Sequence, residues 1–107
     1  MLKKQYVKSR KVAKITFEIT RTQIPEELPA ENAFLVGDFN DWDAAATPMK
    51  FSKKKKAFAV TLDLEPGRQY HFRYFVDGVY WCNDWEADAY IPSGFGHDNS
   101  VVDAPAA

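Results

Sequence analysis

The residues of this chain that are best suited to chemistry lie within residues 70–84, where aromatic rings, a cation and a carboxamide occur together. Arg73 precedes the pair Asp77-Gly78, and Trp81 and Asn83 follow it. The Asp-Gly pair favours a tight hairpin turn because both residues tolerate positive φ angles. A hairpin there would return a large aromatic ring beside Arg73 on one face of a sheet. Flat apolar rings next to hydrogen-bonding groups suit a neutral polar ligand with apolar patches, such as a sugar.

Catalysis is the competing use of the polar residues, since the chain contains 15 Asp and Glu residues. Glycoside hydrolysis needs two carboxyl groups that face each other across a cleft, whereas these carboxylates fall in predicted turns and loops of a small domain. Ser93, His97 and Asp98 are the residue types of a catalytic triad, but no nucleophile-elbow motif accompanies them. Residues 38–43 begin like a calcium loop, yet lack its glycine and its closing glutamate. We therefore expect no enzymatic activity, no metal and no cofactor.

The composition limits the partners and the compartment. The net charge of −1 and the acidic loop around Trp42 argue against a nucleic-acid binder, in which aromatic rings would stack on bases and Lys53–Lys56 would contact phosphates. Cys82 is the only cysteine, so no intrachain disulfide can form. No apolar run reaches the length of a signal peptide or a membrane span, so we expect a free-standing cytoplasmic protein without a membrane partner.

Alternating apolar and polar residues predict the strands that must position these side chains. The predicted strands lie near residues 11–20, 33–36, 48–52, 57–64, 70–76, 79–84 and 100–102. No segment shows a sustained helical period. We therefore predict one all-β domain over residues 11–103, an immunoglobulin-like β-sandwich of about seven strands. Residues 1–10 are predicted as a basic lead-in, residues 85–96 as mostly irregular and residues 104–107 as a tail.

Two tryptophans have more than one predicted orientation. Trp42 follows a short strand in a polar loop, where its ring either covers the core or stands out as a platform. The orientation of Trp81 depends on the register of the hairpin. With a two-residue turn, Tyr80 pairs with Phe75 and Trp81 points to the core. With one more residue in the loop, Tyr80 pairs with Val76 and Trp81 turns outward.

The run Val36-Gly37-Asp38-Phe39-Asn40-Asp41-Trp42 resembles the G-x-F-N-x-W signature of the family 48 carbohydrate-binding modules. Further matching segments follow in order at residues 48–49, 62–67, 70–78, 83–84 and 96–102, so the resemblance covers roughly residues 11–103. These modules include the early-set N-terminal domains of isoamylases and glycogen branching enzymes and the glycogen-binding domain of the AMP-activated protein kinase β subunit. The resemblance implies an immunoglobulin-like fold and non-catalytic binding of α-glucans, such as glycogen, starch or maltooligosaccharides.

The resemblance also implies a sugar site with two stacking tryptophans. Trp42 and Trp81 match the stacking pair, and Asn99 matches a sugar-binding asparagine. Family members carry the second tryptophan three residues before the aspartate that matches Asp84, so the resemblance favours the outward register of Trp81. Tyr80 would then turn toward the rim of the core.

Four other positions differ from the family pattern. Arg73 stands where the family has a lysine, Phe95 where a leucine inserts into the glucan, and His97 where a threonine occurs. With Trp42, Trp81 and Asn99, these three positions complete the six sugar-binding residues that the resemblance implies. Trp85 stands where a proline is usual. Members attached to enzymes often serve as packing domains without a sugar site. The alternative hypothesis is therefore a protein–protein interaction or regulatory module, whose partner would be a separate glycoside hydrolase or glucosyltransferase.

Overall fold

The computed structural model describes residues 2–94 and 97–106, which form nine β-strands and two short 3-10 helices. The strands are β1 (Leu2–Val7), β2 (Val12–Thr20), β3 (Ala33–Gly37), β4 (Lys50–Ser52), β5 (Ala57–Leu64), β6 (Gln69–Val76), β7 (Tyr80–Cys82), β8 (Ala89–Pro92) and β9 (Asp98–Asp103). The 3-10 helices span Arg21–Gln23 and Asp38–Asn40. The all-β, immunoglobulin-like prediction is confirmed. Within the described residues, no helix is long and apolar enough to cross a membrane.

The strands form two antiparallel sheets. One sheet has the order β1-β2-β5-β4, and the other has the order β3-β6-β9-β8 with β7 also paired to β6. β9 pairs with the first half of β6, from Gln69 to Phe72, and β7 pairs with the second half, from Tyr74 to Val76. β6 is therefore bordered by three strands, and its outward side chains lie in the middle of the sheet.

The core lies between the two sheets and follows the alternation of the sequence. Alternate residues from 15 to 19 on β2 and from 70 to 76 on β6 are buried, as the period-two pattern predicts. Phe17 and Phe72 meet edge to face across the sandwich, with ring centroids 5.0 Å apart. Burying one such side chain stabilises the fold by about 1.5–3 kcal/mol. The outward residues of β6 are thereby held on a rigid support.

Two strands, β1 and β8, are absent from the sequence-based prediction. Leu2–Val7 pairs with residues 12–17 of β2, so this segment is part of the sandwich rather than only a basic lead-in. Three successive polar residues at positions 3–5 hide its strand pattern. β8 pairs with β9, but all four of its residues are exposed, so residues 85–96 lack the alternation that marks a half-buried strand. An ion pair between Lys4 and Asp88 joins β1 to the segment before β8.

The β6–β7 hairpin adopts the register that turns Trp81 outward. Val76 pairs with Tyr80, and Phe75 pairs with Trp81. Asp77-Gly78 takes positive φ at both residues, and the following N–H donates to the Val76 carbonyl oxygen at 3.1 Å. The loop therefore contains one residue more than a two-residue turn. Tyr80 packs against the rim of the core, so the prediction for the return arm is confirmed.

Candidate functional site

A groove of about 380 Å³ opens on the outer face of the five-stranded sheet. It is lined by side chains from the loop after β3, from β6, β7 and β9, and from the segment between β8 and β9: Asp38, Trp42, His71, Arg73, Trp81, Ser93 and Asn99. Trp42 is 36% exposed and Trp81 is 42% exposed, so both rings present surface to solvent. The groove therefore combines two aromatic surfaces with side chains that can donate and accept hydrogen bonds.

Two buried valines lie on the same face of the sheet as this groove. Val36 pairs with Arg73, and Val101 pairs with His71, which places both valines on the outer face of the sheet. Both valines are nevertheless fully buried, at 0% exposure. Side chains on the outer face must therefore cover them. The outer face of the sheet therefore has a small apolar layer of its own, in addition to the core between the sheets.

The Gly, Phe and Asn of the G-x-F-N-x-W pattern each have a local structural role in this chain. A Cβ atom on Gly37 would lie 2.5 Å from the His71 carbonyl oxygen, so no side chain fits at that position. Phe39 packs against the ring of Phe17 on β2, with ring centroids 5.6 Å apart. Asn40 accepts a hydrogen bond from the Gly37 N–H at 3.1 Å and donates to the Leu35 carbonyl at 2.9 Å. These contacts hold the loop that carries the tryptophan.

Trp42 is held by its backbone and by its ring nitrogen. Asp41 and Trp42 both adopt the left-handed conformation, with φ of 56° and 58°. The backbone N–H of Trp42 donates to the Gly37 carbonyl oxygen at 2.9 Å. Its indole Nε1–H donates to Asp38 Oδ1 at 3.0 Å, and Asp38 Oδ2 accepts from the backbone N–H of His71 at 2.7 Å. Asp38 therefore ties the indole ring to β6.

Trp81 rests on an aromatic ring of the neighbouring strand. Phe75 lies opposite it across the β6–β7 pair, with ring centroids 4.3 Å apart and planes inclined by 27°. Phe34 pairs with Phe75 on the other side, so three aromatic residues form one outward row across β3, β6 and β7. Stacking on Phe75 covers one face of the indole, which leaves the opposite face as the surface for a ligand.

The Arg73 guanidinium is anchored at the start of β9. Its Nε and one terminal nitrogen donate to the Asp98 carbonyl oxygen at 3.1 and 3.0 Å. Asn83 Nδ2 donates to the same carbonyl oxygen at 2.8 Å. No ion pair found within residues 2–94 and 97–106 includes Arg73. Its positive charge and its remaining N–H groups are therefore available to a ligand.

A second depression, also of about 380 Å³, lies beside the groove and shares Arg73 and Trp81 with it. His97 lines this depression. So does Cys82, whose pKa is raised to about 12 by burial and then by the charge of Asp84. The thiol therefore stays protonated at neutral pH and is a poor nucleophile. In the part of the chain that the structure describes, no group of three or more His, Cys, Asp or Glu side chains could hold a metal ion.

A buried polar network supports the groove from the core side. The Tyr74 hydroxyl donates to Asp84 Oδ2 at 2.6 Å, and burial followed by the Asp84 charge raises the pKa of Tyr74 well above its usual value. The Asp84 N–H donates to Ser100 Oγ at 3.0 Å, and the Ser100 hydroxyl donates to Asn83 Oδ1 at 2.9 Å. Asn83 in turn holds the start of β9 together with Arg73. The position of Arg73 thus depends on a network that reaches the core.

The structure brings together four of the six residues that the resemblance implies: Trp42, Arg73, Trp81 and Asn99. His97 lies in the second depression, and Phe95 lies outside the described residues. Trp85 is 66% exposed and lines neither depression. The roles of Asp38 and Phe75 as supports of the two tryptophans are not predicted from the sequence. Their signals in the sequence are the place of Asp38 inside the signature and the outward position of Phe75 on β6.

A comparison with protein families finds a similarity that spans most of the chain. A family model described as the glycogen recognition site of AMP-activated protein kinase matches residues 20–105. The matched segment extends from the last residue of β2 beyond the end of β9, and it includes every residue that lines the groove. No curated protein sequence matches the chain at a significant level.

Proposed function

The chain belongs to the family of the glycogen recognition site of AMP-activated protein kinase, and on that premise we propose that it binds α-glucans through the groove between Trp42 and Trp81. The ligand class is glycogen, starch or maltooligosaccharides, and binding is not followed by a chemical step. The observation that carries the proposal is the presence of two partly exposed indole rings in one groove, each held by its own support.

The aromatic rings suit the apolar faces of glucose units. A glucose ring has faces of C–H groups and a rim of hydroxyls, so a flat indole can cover a face while the rim stays accessible. Trp42 is held through Asp38, and Trp81 is held through Phe75. Rings that are already fixed lose little rotamer entropy when a ligand binds, which favours affinity.

The polar residues of the groove suit the hydroxyl rim. Arg73 supplies unused N–H donors, and Asn99 supplies both a donor and an acceptor. An unpaired hydroxyl buried against the protein costs about 1–3 kcal/mol, so these groups favour ligands whose hydroxyls match them. The groove is open and buries less of a ligand than an enclosed pocket does. We expect dissociation constants between about 10 μM and 1 mM, equivalent to about 4–7 kcal/mol.

The proposal is tested by titrating the protein with β-cyclodextrin and maltoheptaose while tryptophan emission is followed. Cellohexaose, with its β-linkages, is the ligand control. Trp85→Ala is the matched protein control, because it removes an exposed tryptophan that lines neither depression. Trp42→Ala and Trp81→Ala are expected to abolish the response, and Trp85→Ala is expected to keep it. No response to any α-glucan at millimolar concentration would rule the proposal out.

The absence of catalysis is part of the same proposal. The carboxylate in the groove, Asp38, already accepts hydrogen bonds from Trp42 and His71. A second carboxyl group facing it across the groove, as glycoside hydrolysis requires, is not among the lining residues described. Incubation with glycogen, pullulan and maltoheptaose is expected to release no reducing ends above background. Turnover that co-purifies with the protein and disappears in Asp38→Ala would contradict this.

A further inference from the structure

A second surface, which we call the β4 edge, lies on the four-stranded sheet. It shares no residue with the groove between Trp42 and Trp81, which we call the glucan groove. It is a groove of about 450 Å³ lined by Pro48, Lys50, Phe51, Ser52, Ala59, Val60 and Thr61. The lining residues 50–52 form β4, residues 59–61 lie in the middle of β5, and Pro48 precedes β4. The glucan proposal gives this surface no role.

The β4 edge exists because β4 is much shorter than β5. β4 contains three residues and pairs with residues 57–59, whereas β5 continues to Leu64. The chain before β4 cannot extend the pairing, because it hydrogen-bonds to the other sheet. The Leu35 N–H donates to the Thr47 carbonyl oxygen at 2.9 Å, and the Met49 N–H donates to the Ala33 carbonyl oxygen at 2.8 Å.

Residues 60–64 of β5 are consequently an open strand edge. They pair with β2 on one side. On the side of β4, the described part of the chain provides them with no strand partner. Such an edge presents backbone N–H and C=O groups in a row, which is a template for one more extended segment.

The side chains beside this edge are apolar on the inner face of the sheet. Phe51 is 42% exposed and meets the buried ring of Phe58 edge to face, with centroids 5.0 Å apart. Val60 and Leu62 are only partly buried, although they pair with Phe17 and Ile15, which are fully buried. An added strand with apolar side chains on its inner face would cover these three residues and complete the core at this end.

The unpaired charges nearest the β4 edge are positive, because Asp63, the one carboxylate in residues 60–64, is paired with Arg10 at 2.8 Å. Lys50 pairs with Ala59 and adjoins the open residues, whereas Lys53–Lys56 lie at the other end of β4, at the tip of the β4–β5 hairpin. All five lysines are exposed. None of these five lysines takes part in the ion pairs found within residues 2–94 and 97–106. A second copy of the chain would bring five more lysines to the same edge. An acidic segment, in contrast, would be attracted by the uncompensated charge.

We propose that the β4 edge binds an extended acidic peptide segment of a partner protein, which adds to β5 as a strand in line with β4. The segment has about five residues in contact, to match residues 60–64. Its apolar side chains face Phe51 and Val60, and its acidic residue nearest β4 lies on the outer face beside Thr61 and Lys50, away from the Asp63 carboxylate.

The test uses a blocked peptide that alternates Glu with Val, titrated into the isotope-labelled protein and followed by amide NMR shifts. The expected result is binding that weakens with salt, with shifts and slower hydrogen exchange concentrated in residues 57–64. The same peptide with Lys in place of Glu is the ligand control and is expected not to bind. Shifts centred on the glucan groove or on β1, equal binding of both peptides, or no binding at millimolar concentration would each overturn the proposal.

Charge-reversal variants make the test specific to this edge. The double variant Lys50→Glu, Lys54→Glu is expected to bind the acidic peptide at least about tenfold more weakly. The matched control, Lys3→Glu with Lys8→Glu, changes the charge equally beside β1 at the opposite edge of the same sheet and is expected to bind normally. Equal weakening in the two double variants would mean a general charge effect and would overturn the assignment to the β4 edge. Self-association through this edge in place of peptide binding would also overturn it.

Discussion

The Asp38 carboxylate accepts a hydrogen bond from the indole Nε1–H of Trp42 at 3.0 Å, and this bond determines where the exposed ring stands. The second oxygen of the same carboxylate accepts from the backbone of β6 at His71. A loop tryptophan is thereby attached to a central strand of the sheet. The acidic residue inside the signature acts as a support for the ring.

The first prediction concerns this support. Asp38→Ala is expected to weaken maltoheptaose binding about tenfold, or about 1.4 kcal/mol, because the indole loses its fixed orientation. Asp41→Asn is the matched control, since it removes a neighbouring charge and asparagine tolerates the left-handed backbone at that position. Titration and thermal unfolding are measured for both variants. A folded Asp38→Ala protein that binds as tightly as the unmodified one would contradict the role of the carboxylate.

The second prediction separates Trp81 from Tyr80. Trp81→Ala is expected to lose at least about tenfold in glucan affinity and to keep its melting temperature, because the ring stands on the outer face. Tyr80→Ala is expected to lose about 1–3 kcal/mol of stability and to keep the affinity of the folded protein, because its ring packs against the core rim. Calorimetric unfolding and sugar titration of both variants test the pair. The opposite pattern would be inconsistent with the observed hairpin register.

The third prediction concerns the cation in the groove. Arg73→Lys loses the paired bonds to the Asp98 carbonyl oxygen but keeps the positive charge. Because the charge remains, affinity is expected to change by less than about threefold. Arg73→Met keeps much of the apolar stem and removes the charge and the donors, so affinity is expected to fall about fivefold or more. Isothermal titration with maltoheptaose measures both changes. Unchanged affinity in Arg73→Met would mean that the guanidinium does not contact the sugar.

The fourth prediction is that the stability of the fold depends on pH through Asp77 in the β6–β7 loop. The Asp77 carboxylate accepts hydrogen bonds from the three successive backbone N–H groups of residues 30–32. Burial alone would raise its pKa, but these three bonds and the charge of Arg21 outweigh burial and lower the pKa below the ordinary value of 3.8. The ionised carboxylate therefore stabilises the folded state above pH 3.8, and this contribution is lost as the pH falls through the lowered pKa.

Asp77→Asn tests this dependence. Asparagine tolerates the positive φ of 53° but carries no charge. The variant is expected to melt at a lower temperature than the unmodified protein at pH 7, and the gap between the two is expected to close as the solution becomes strongly acidic. Melting curves of both proteins from pH 7 to pH 2 provide the measurement. A gap that stays constant over this range would show that the charge of Asp77 does not contribute.

The two faces of β6 could be predicted from the sequence because strand alternation is a local property. Its inward residues are buried, and Arg73 and Phe75 face outward, as period two requires. The edge strands could not be predicted in the same way. Positions 3–5 of β1 are exposed, and β8 is exposed throughout, so pairing with a neighbour rather than burial defines these strands.

The site could be predicted in part. Trp42, Arg73, Trp81 and Asn99 were implied by resemblance, and the fold places them in one groove. Local pattern alone leaves the direction of Trp81 open, because it depends on one extra loop residue. The role of Asp38 could not be predicted, because it depends on a contact with a strand 33 residues away along the chain.

Both indole rings are attached to the same strand, Trp42 through Asp38 to the backbone of His71, and Trp81 directly to the ring of Phe75. These positions are four residues apart on β6, which corresponds to roughly 13 Å at about 3.3 Å per residue. A strand inside a sheet is stiff, so the spacing between these two attachment points is fixed. We expect a monosaccharide to stack on one ring, whereas an oligosaccharide held at one ring offers its next units to the other at high effective concentration. The affinity for maltooligosaccharides is therefore expected to rise with chain length until the ligand contacts both Trp42 and Trp81, and then to level off.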